Sequence, residues 1–410
     1  MSIQTLSRSS SCAILLALCI AAPGGAQRAK AGAGPSRYLY VWAGTGGDTT
    51  RGVDMMTVID ADPSSRSYGA VTAALTVDSA GKMPHHTEFT APRSGLLAAN
   101  DFASGESYLV DFRTPAMPRL AGRLDRVPGF RQLHSFERLD NGHLLATVQF
   151  STDSGAGRPG ALAEFDEHGK LLRTGRSRDA AFPGARIRTY ALAVVESADR
   201  VVTTSSPMDN EKTADVVQVW RLSDLTLLET LEVPATPGDS AHRYPFEVRA
   251  LADGSVMMNT YYCGFYHVTG LAGSPSIARV LAMPGNSGCS VPVILGHYLV
   301  MPIAYAHRYA TIDIADPRHP REVASFPTDS TFFPHWSSVD PGTDRIVVTD
   351  QGAGAPMVKI MHLDPSTGRL SWDERFRDRG ATTPGVSYHR ASFPNGVRGM
   401  AMPHGAVFVH

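Results

Sequence analysis

The sequence predicts an all-β fold, a seven-bladed β-propeller, and three observations support this prediction. The 410 residues include 38 Gly and 28 Pro that are spread along the chain, a composition typical of many short strands joined by turns. Seven stretches share one pattern of a short apolar strand, a turn and a second strand rich in β-branched residues. The two ends of the chain supply complementary parts of one repeat unit.

The repeats predict blades of four strands. Turn sequences stand at matching positions in three stretches, for example DNG at 140–142 and DG at 253–254. A second hairpin recurs between the stretches, so each unit contains four antiparallel strands, the content of a propeller blade. The seven stretches are 85–100, 134–147, 190–204, 246–260, 291–304, 335–350 and 404–410.

The chain ends predict how the ring closes. Residues 38–78 contain three strands without an inner strand, and the C-terminal stretch contains only one. Pairing the N-terminal strands with the C-terminal strand completes the seventh blade and removes the exposed edges of an open sheet. A pair of β-sandwiches is the alternative fold, but it does not explain these complementary half-blades.

The N-terminus predicts export. Arg8 precedes an apolar run at 13–22, and the small residues at 24–26 follow it, as in a secretory signal peptide cleaved near Ala26. The alternative is a membrane anchor, but the run is short for a bilayer span. We therefore expect a signal peptide at 1–26, a linker at 27–36 and one propeller domain at 37–410, in a periplasmic or secreted protein.

Charge and motifs limit the classes of function. The formal net charge is −1 without blocks of like charge, which predicts no binding of nucleic acid or of an anionic membrane surface. No segment after the predicted signal peptide resembles a transmembrane span, so we expect no insertion of the mature chain into a membrane. The sequence contains no Gly-x-Ser-x-Gly elbow, no phosphate-binding glycine loop and no His-Glu-x-x-His motif, so these hydrolase and kinase chemistries are not expected. A small, neutral partner is favoured.

Four of the seven stretches begin with a histidine, which follows a proline in three of them and a leucine in the fourth. The inner strands of a propeller run in the same direction, so the residues that start them surround one mouth of the central channel. His85, His134, His335 and His404 hold this position in blades one, two, six and seven, and convergent imidazoles bind copper, iron or zinc. His86 follows His85, and strand alternation allows only one of the two to face the site unless the strand begins irregularly.

Four further residues are candidates. In an oxidising compartment Cys263 and Cys289 can form a disulfide, and a thiolate metal ligand is the alternative. Tyr190 and Glu247 lie near the starts of inner strands in blades three and four, where each is either a proton relay or part of the channel lining.

The chain resembles the selenium-binding protein family, which includes copper-dependent methanethiol oxidases. The resemblance extends from about Tyr38 to the C-terminus and is carried by DMMTVID at 54–60, MPHHT at 83–87, DIADPRHP at 313–320 and GMAMPHG at 399–405. Members of this family are seven-bladed propellers. A cysteine follows His-His-Thr in many members, but here Glu88 to Pro92 contains no thiol, so selenium binding by that route is not expected.

The resemblance implies that His85, His86, His134 and His404 hold copper, and the repeat alignment adds His335. It implies oxidation of a small thiol by dioxygen, with methanethiol as the example. Two alternatives remain open: an iron-dependent dioxygenase of the carotenoid-oxygenase type, and a propeller that binds metal without catalysis.

Overall fold

The computed structural model describes residues 34–45, 53–77, 83–152, 157–209, 211–352 and 354–410. The predicted signal peptide lies outside these residues, as does most of the predicted linker. Within them, no helix is long and apolar enough to span a bilayer. The strands in chain order are β1 (Tyr38–Gly44), β2 (Asp54–Asp60), β3 (Val71–Thr76), β4 (Pro84–Thr87), β5 (Leu96–Asp101), β6 (Ser107–Asp111), β7 (Arg119–Arg123), β8 (Phe130–Arg138), β9 (Leu144–Ser151), β10 (Ala161–Phe165), β11 (Leu171–Arg176), β12 (Thr189–Val195), β13 (Arg200–Ser205), β14 (Val216–Arg221), β15 (Leu227–Glu232), β16 (Pro245–Ala250), β17 (Val256–Thr260), β18 (Gly264–Thr269), β19 (Ser276–Ala282), β20 (Val293–Leu295), β21 (Tyr298–Ile303), β22 (Arg308–Asp313), β23 (Arg321–Pro327), β24 (Pro334–Val339), β25 (Arg345–Asp350), β26 (Met357–Leu363), β27 (Leu370–Trp372), β28 (Val386–Ser387), β29 (His389–Arg390), β30 (Gly399–Met400) and β31 (Met402–Val409).

The strands form a seven-bladed β-propeller, so the predicted fold class is confirmed. Blades one to six are β4–β7, β8–β11, β12–β15, β16–β19, β20–β23 and β24–β27, each antiparallel and in chain order from the inside outward. β28 pairs with β26 of blade six, and β29 pairs with β30 beside it. Short 3-10 turns at Glu196–Ala198 and Ala304–Ala306 join the first two strands in blade three and the second and third in blade five.

Blade seven closes the ring as the sequence predicts. Its inner strand is β31, which pairs with β1, and β2 and β3 follow outward. The ends of the described chain are fixed close together: the Ser36 N–H and hydroxyl donate to the Asp340 carboxylate, and the same hydroxyl lies 3.3 Å from Nε2 of His410. Both termini of the ring are therefore anchored next to blade six.

The core lies between the blades. Strand β1 shows how alternation produces it: Leu39 and Val41 pack against blade six, whereas Tyr40 and Trp42 pack against blade one. Similar apolar clusters occupy the other blade interfaces. The outermost strands β3, β7, β11, β15, β19 and β23 are mostly exposed or half-buried, whereas the inner strands are largely buried, as radial stacking of sheets requires.

An irregularity recurs near the start of the inner strands and shapes the channel mouth. In six blades, two inner-strand residues oppose one residue of the neighbouring strand, which is the arrangement of a β-bulge. The bulge interrupts the strict alternation of side chains at this level of the channel. The bulged pairs are His85-His86, His134-Ser135, Tyr190-Ala191, Phe246-Glu247, His335-Trp336 and His404-Gly405.

Candidate metal centre

The five predicted histidines meet at one mouth of the channel. The Nε2 atoms of His85 and His134 are 3.0 Å apart, and so are those of His335 and His404. The rings of His85 and His404 lie 4.1 Å apart between their centroids, which joins the two pairs. His86 lies behind them, with its ring centroid 4.4 Å from those of both His85 and His134.

The bulge in blade one explains how two consecutive histidines reach one site. Pro84 pairs with Asp101 and Thr87 with Ala99, so His85 and His86 share the space opposite a single residue. A regular strand would send one of these side chains to the other face. The irregular start that sequence reasoning required for both residues is present here.

Hydrogen bonds to Nδ1 orient two of the imidazoles. Nδ1 of His134 lies 2.9 Å from the peptide oxygen of Tyr190, and because a carbonyl only accepts, this nitrogen carries the proton. The Nε2 atom of His134 therefore presents a lone pair toward His85. The hydroxyl of Ser290 lies 2.7 Å from Nδ1 of His335 and holds that ring from blade five. Such outer contacts fix the ring orientation of metal-binding histidines.

All five imidazoles are neutral at neutral pH. Burial lowers the pKa of His85, His86 and His404 well below the ordinary value, and the neighbouring imidazoles lower it further. Burial also lowers the pKa of His134 to about 3 and that of His335 to about 4. A neutral imidazole is the form that binds metal, so the site is ready for an ion without first losing protons.

The donor atoms of this cluster fit a transition-metal ion. One nitrogen each from His85, His86 and His404 lies within 4.8 Å of the others. The buried Nε2 of His86 has no hydrogen-bond partner, which is unfavourable for a polar atom in the protein interior. Metal–imidazole bonds of roughly 2.0–2.1 Å place neighbouring ligand nitrogens about 3 Å apart, as the two Nε2 pairs are. This buried group can bind a metal, and imidazole donors suit copper, zinc and iron.

Aromatic side chains that the sequence reasoning did not identify surround the centre. Trp336 follows His335 on the blade-six bulge and packs its ring edge-on against His86, at 4.9 Å. Phe89 stacks on Trp336 at 4.5 Å, and Phe102 packs against His85 at 5.7 Å. The residue that follows each repeat histidine could have been predicted to lie at the centre only if the β-bulge at that position had been known.

Gly405 is the bulge partner of His404 and brings blades seven and one together. A Cβ at this position would lie 2.6 Å from the backbone nitrogen of Thr87 and 2.8 Å from its hydroxyl oxygen. Since Thr87 follows His86, a side chain at 405 would move the strand that carries two of the histidines. The glycine therefore sets how closely the first and last inner strands approach.

Tyr190 and Glu247 have different positions relative to the centre. The Tyr190 ring lies 3.9 Å from that of His134 and is 2% exposed, so it forms part of the wall. Glu247 is buried and paired with Arg249 at 2.8 Å, and burial raises its pKa. The guanidinium of Arg249 lies 4.3 Å from the Phe89 ring, which connects this ion pair to the aromatic wall.

Cys263 and Cys289 are joined by a disulfide, with their Cα atoms 5.2 Å apart. Cys263 lies between β17 and β18 of blade four, and Cys289 forms a bridge with Ile303 of blade five. The bond therefore links two adjacent blades. Within the described residues, the group of side chains suited to a metal contains neither sulfur.

Comparisons with known proteins show the fold. No family model matches the sequence, and no curated protein matches it. A solved structure of a hypothetical selenium-binding protein from Sulfolobus tokodaii superposes with a TM-score of 0.74 at 16% identity, covering 92% of this chain and 94% of that one. A periplasmic gluconolactonase from Pseudomonas aeruginosa superposes with a TM-score of 0.61 at 15% identity, covering 91% and 99%. At these identities the chain is similar to both proteins in architecture.

Proposed function

We propose that this protein is a copper-dependent oxidase of a small thiol, active in the periplasm or outside the cell, with dioxygen as the second substrate. The proposed reaction converts methanethiol, dioxygen and water to formaldehyde, hydrogen sulfide and hydrogen peroxide. The observation that carries the proposal is the convergence of five neutral histidines from four blades, with the unpartnered Nε2 of His86 among them. A propeller of similar architecture is described as a hypothetical selenium-binding protein.

The histidines would divide their roles by position. His85, His86, His134 and His404 would hold copper. His335 is half-buried at the edge of the cluster and would be the first of the five to meet an incoming substrate. Copper bound there supplies a soft acceptor for thiolate sulfur and a redox partner for dioxygen. The buried rings of Phe102 and Trp336 exclude water from the nitrogens.

The outer contacts favour copper over the iron alternative. Iron centres of the carotenoid-oxygenase type would be favoured by glutamates that accept from the Nδ1 atoms. Here Nδ1 of His134 contacts the Tyr190 carbonyl, and the Nδ1 atoms of His86 and His335 contact the hydroxyls of Ser135 and Ser290. The Nδ1 atoms of these three histidines therefore contact carbonyl and hydroxyl oxygens, whereas the iron-dependent dioxygenase would favour carboxylates at these positions.

Metal analysis coupled to product detection tests the proposal. Copper and iron are quantified in the purified protein, and hydrogen peroxide and sulfide are measured after addition of methanethiol. We expect close to one copper per chain and release of both products. His134→Ala and His404→Ala should lose the metal and the activity, whereas His319→Ala, at a side chain that is 79% exposed, should keep both.

Three outcomes would contradict the proposal. Stoichiometric iron with little copper would favour the dioxygenase. Copper without product would favour a propeller that binds metal without catalysis. Full metal content in both histidine variants would place the metal elsewhere.

A further inference from the structure

We propose that a group of half-exposed aromatic rings beside the metal centre binds an uncharged aromatic ring, so that the preferred substrate is a thiol with an aromatic body. The group, called here the aromatic cluster, consists of Tyr244, Tyr261, Tyr262, Tyr305 and Phe333. The binding site stands on its own geometry, and its role as a substrate site rests on the proposed function.

The rings of the cluster form a continuous surface across blades four to six. Tyr261 contacts Tyr262 at 5.5 Å and Tyr305 at 6.4 Å between ring centroids. Tyr262 lies 5.9 Å from Tyr244, and Tyr305 lies 5.0 Å from Phe333. Most of these contacts are edge-to-face, which leaves ring faces and edges available to a further aromatic ring.

The cluster reaches the metal centre at two points. Phe333 is two residues before His335, the half-buried histidine at the edge of the site. On the other side, the Tyr261 ring lies 5.7 Å from Phe246, and Phe246 lies 4.5 Å from Tyr190, which packs on His134. The cluster is therefore connected to His335 through the start of β24 and to His134 through three successive ring contacts.

The exposure of these rings is a second, independent indication. Tyr305 is 59% exposed, the largest value among the exposed aromatic side chains of the described residues. The other four rings are half-buried. Contiguous exposed apolar surface is typical of binding sites.

The backbone beneath the cluster is strained. Tyr244, Cys263 and His307 have φ values of 55°, 62° and 47°, in the left-handed region that residues with side chains seldom adopt. Tyr244 belongs to the cluster, Cys263 directly follows Tyr262, and the His307 ring lies 6.4 Å from that of Phe333 between centroids. Three of the seven described residues other than glycine with such φ values therefore lie at or beside this surface, and residues held in this region are often part of functional sites.

Fixed contacts hold the strained segments in place. The peptide oxygen of Tyr261 accepts hydrogen bonds from the N–H groups of Gly288 and Cys289, and the disulfide to Cys263 joins the same two segments. The surface is therefore built before a ligand arrives, which reduces the entropy lost on binding.

The chemistry of the cluster selects the class of ligand. None of its five side chains carries a formal charge at neutral pH, so an ionised ligand seated on the rings would lose hydration without gaining a charged partner from the cluster itself. Arg243 lies at the rim, with its guanidinium carbon 5.7 Å from the Tyr244 ring that it covers. An aromatic ring gains face and edge contacts that a saturated ring of the same size does not.

Binding of two alcohols to the purified full chain tests the site without turnover. Benzyl alcohol and cyclohexylmethanol have similar size and apolar area, and each is titrated by NMR. We expect benzyl alcohol to bind more tightly, and Tyr305→Ala to weaken its binding about twofold to tenfold. Tyr305→Phe should retain the affinity because it keeps the ring. Met117→Ala, at an exposed apolar residue between β6 and β7 that is 67% exposed, is the control and should have no effect.

The outcomes separate this proposal from the proposed function. Equal affinity for both alcohols, or unchanged benzyl alcohol binding in Tyr305→Ala and in Phe333→Ala, overturns the aromatic site. If the copper protein oxidises thiols, phenylmethanethiol should have a lower KM than methanethiol, and Tyr305→Ala should remove the difference. A protein that binds benzyl alcohol as expected but oxidises neither thiol keeps the site and loses the function.

Discussion

Removing the disulfide should measurably destabilise the propeller. Cys263 and Cys289 are fully buried and 26 residues apart in sequence. In the chain-entropy description, closing a loop of this length lowers the entropy of the unfolded chain by roughly 12 cal/mol/K, which stabilises the fold by about 3.5 kcal/mol at 25 °C. We therefore expect the double variant Cys263→Ala/Cys289→Ala to lose about 3.5 kcal/mol in free energy of unfolding. Alanine is preferred to serine because a buried hydroxyl would add its own cost.

Urea unfolding followed by tryptophan fluorescence measures this loss. The wild type in excess dithiothreitol is the control, since reduction breaks the bond and keeps both sulfur atoms, and it should show the same loss. The cluster variant Tyr305→Ala, with its disulfide intact, should stay within about 0.5 kcal/mol of the wild type, as surface substitutions usually do. A loss below about 1 kcal/mol in both the double variant and the reduced wild type would refute this reasoning and would show that blades four and five are held by packing alone.

Three further outcomes are expected. Gly405→Ala should lower the metal content, because the new Cβ displaces the strand that carries His86; an unchanged metal content would contradict this. Arg138→Met should destabilise the protein by about 3–5 kcal/mol in urea unfolding, because it leaves the buried Glu88 carboxylate without the ion pair at 2.8 Å; a smaller loss would mean that water reaches the carboxylate. A hydrogen bond to Asp373 raises the pKa of His362. The protonated ring therefore stabilises the folded protein fully below the ordinary pKa of about 6.5, and this stabilisation is lost as the pH rises through the raised pKa. His362→Gln should remove that part of the pH dependence of unfolding, and equal slopes in both proteins would contradict it.

The repeat pattern predicted the architecture because each blade obeys the same local rules. Alternating strands and turns at fixed positions are visible in a single sequence, and so is the complementarity of residues 38–78 with β31. The position of His85, His134, His335 and His404 at the start of their strands also followed from repeat alignment. Their convergence is a geometric result of the ring, since equivalent residues in adjacent blades lie at one level.

The detailed geometry of the site depends on β-bulges and on contacts between distant segments, which the alternating pattern of the sequence does not show. Alternation alone placed His85 and His86 on opposite faces, and the bulge was visible only in the register of β4 with β5. Trp336 and Ser290 had no predicted role at the metal: Ser290, which precedes blade five, contacts His335 of the adjacent blade six, and Trp336 of blade six contacts His86 of blade one at the channel mouth. Such contacts between distant segments leave no local pattern in the sequence.

Because His404 lies on β31, metal binding at this centre and closure of the ring at blade seven would be thermodynamically linked. His85 lies on the inner strand of blade one and His404 on the strand that completes blade seven, so an ion held by both joins the two sides of the closure. Opening blade seven would separate these ligands, and the free energy of metal binding therefore opposes that opening. At a free metal concentration 100 times Kd, this linkage amounts to about 2.7 kcal/mol. The supply of metal would then set the fraction of the protein in which the ring is closed.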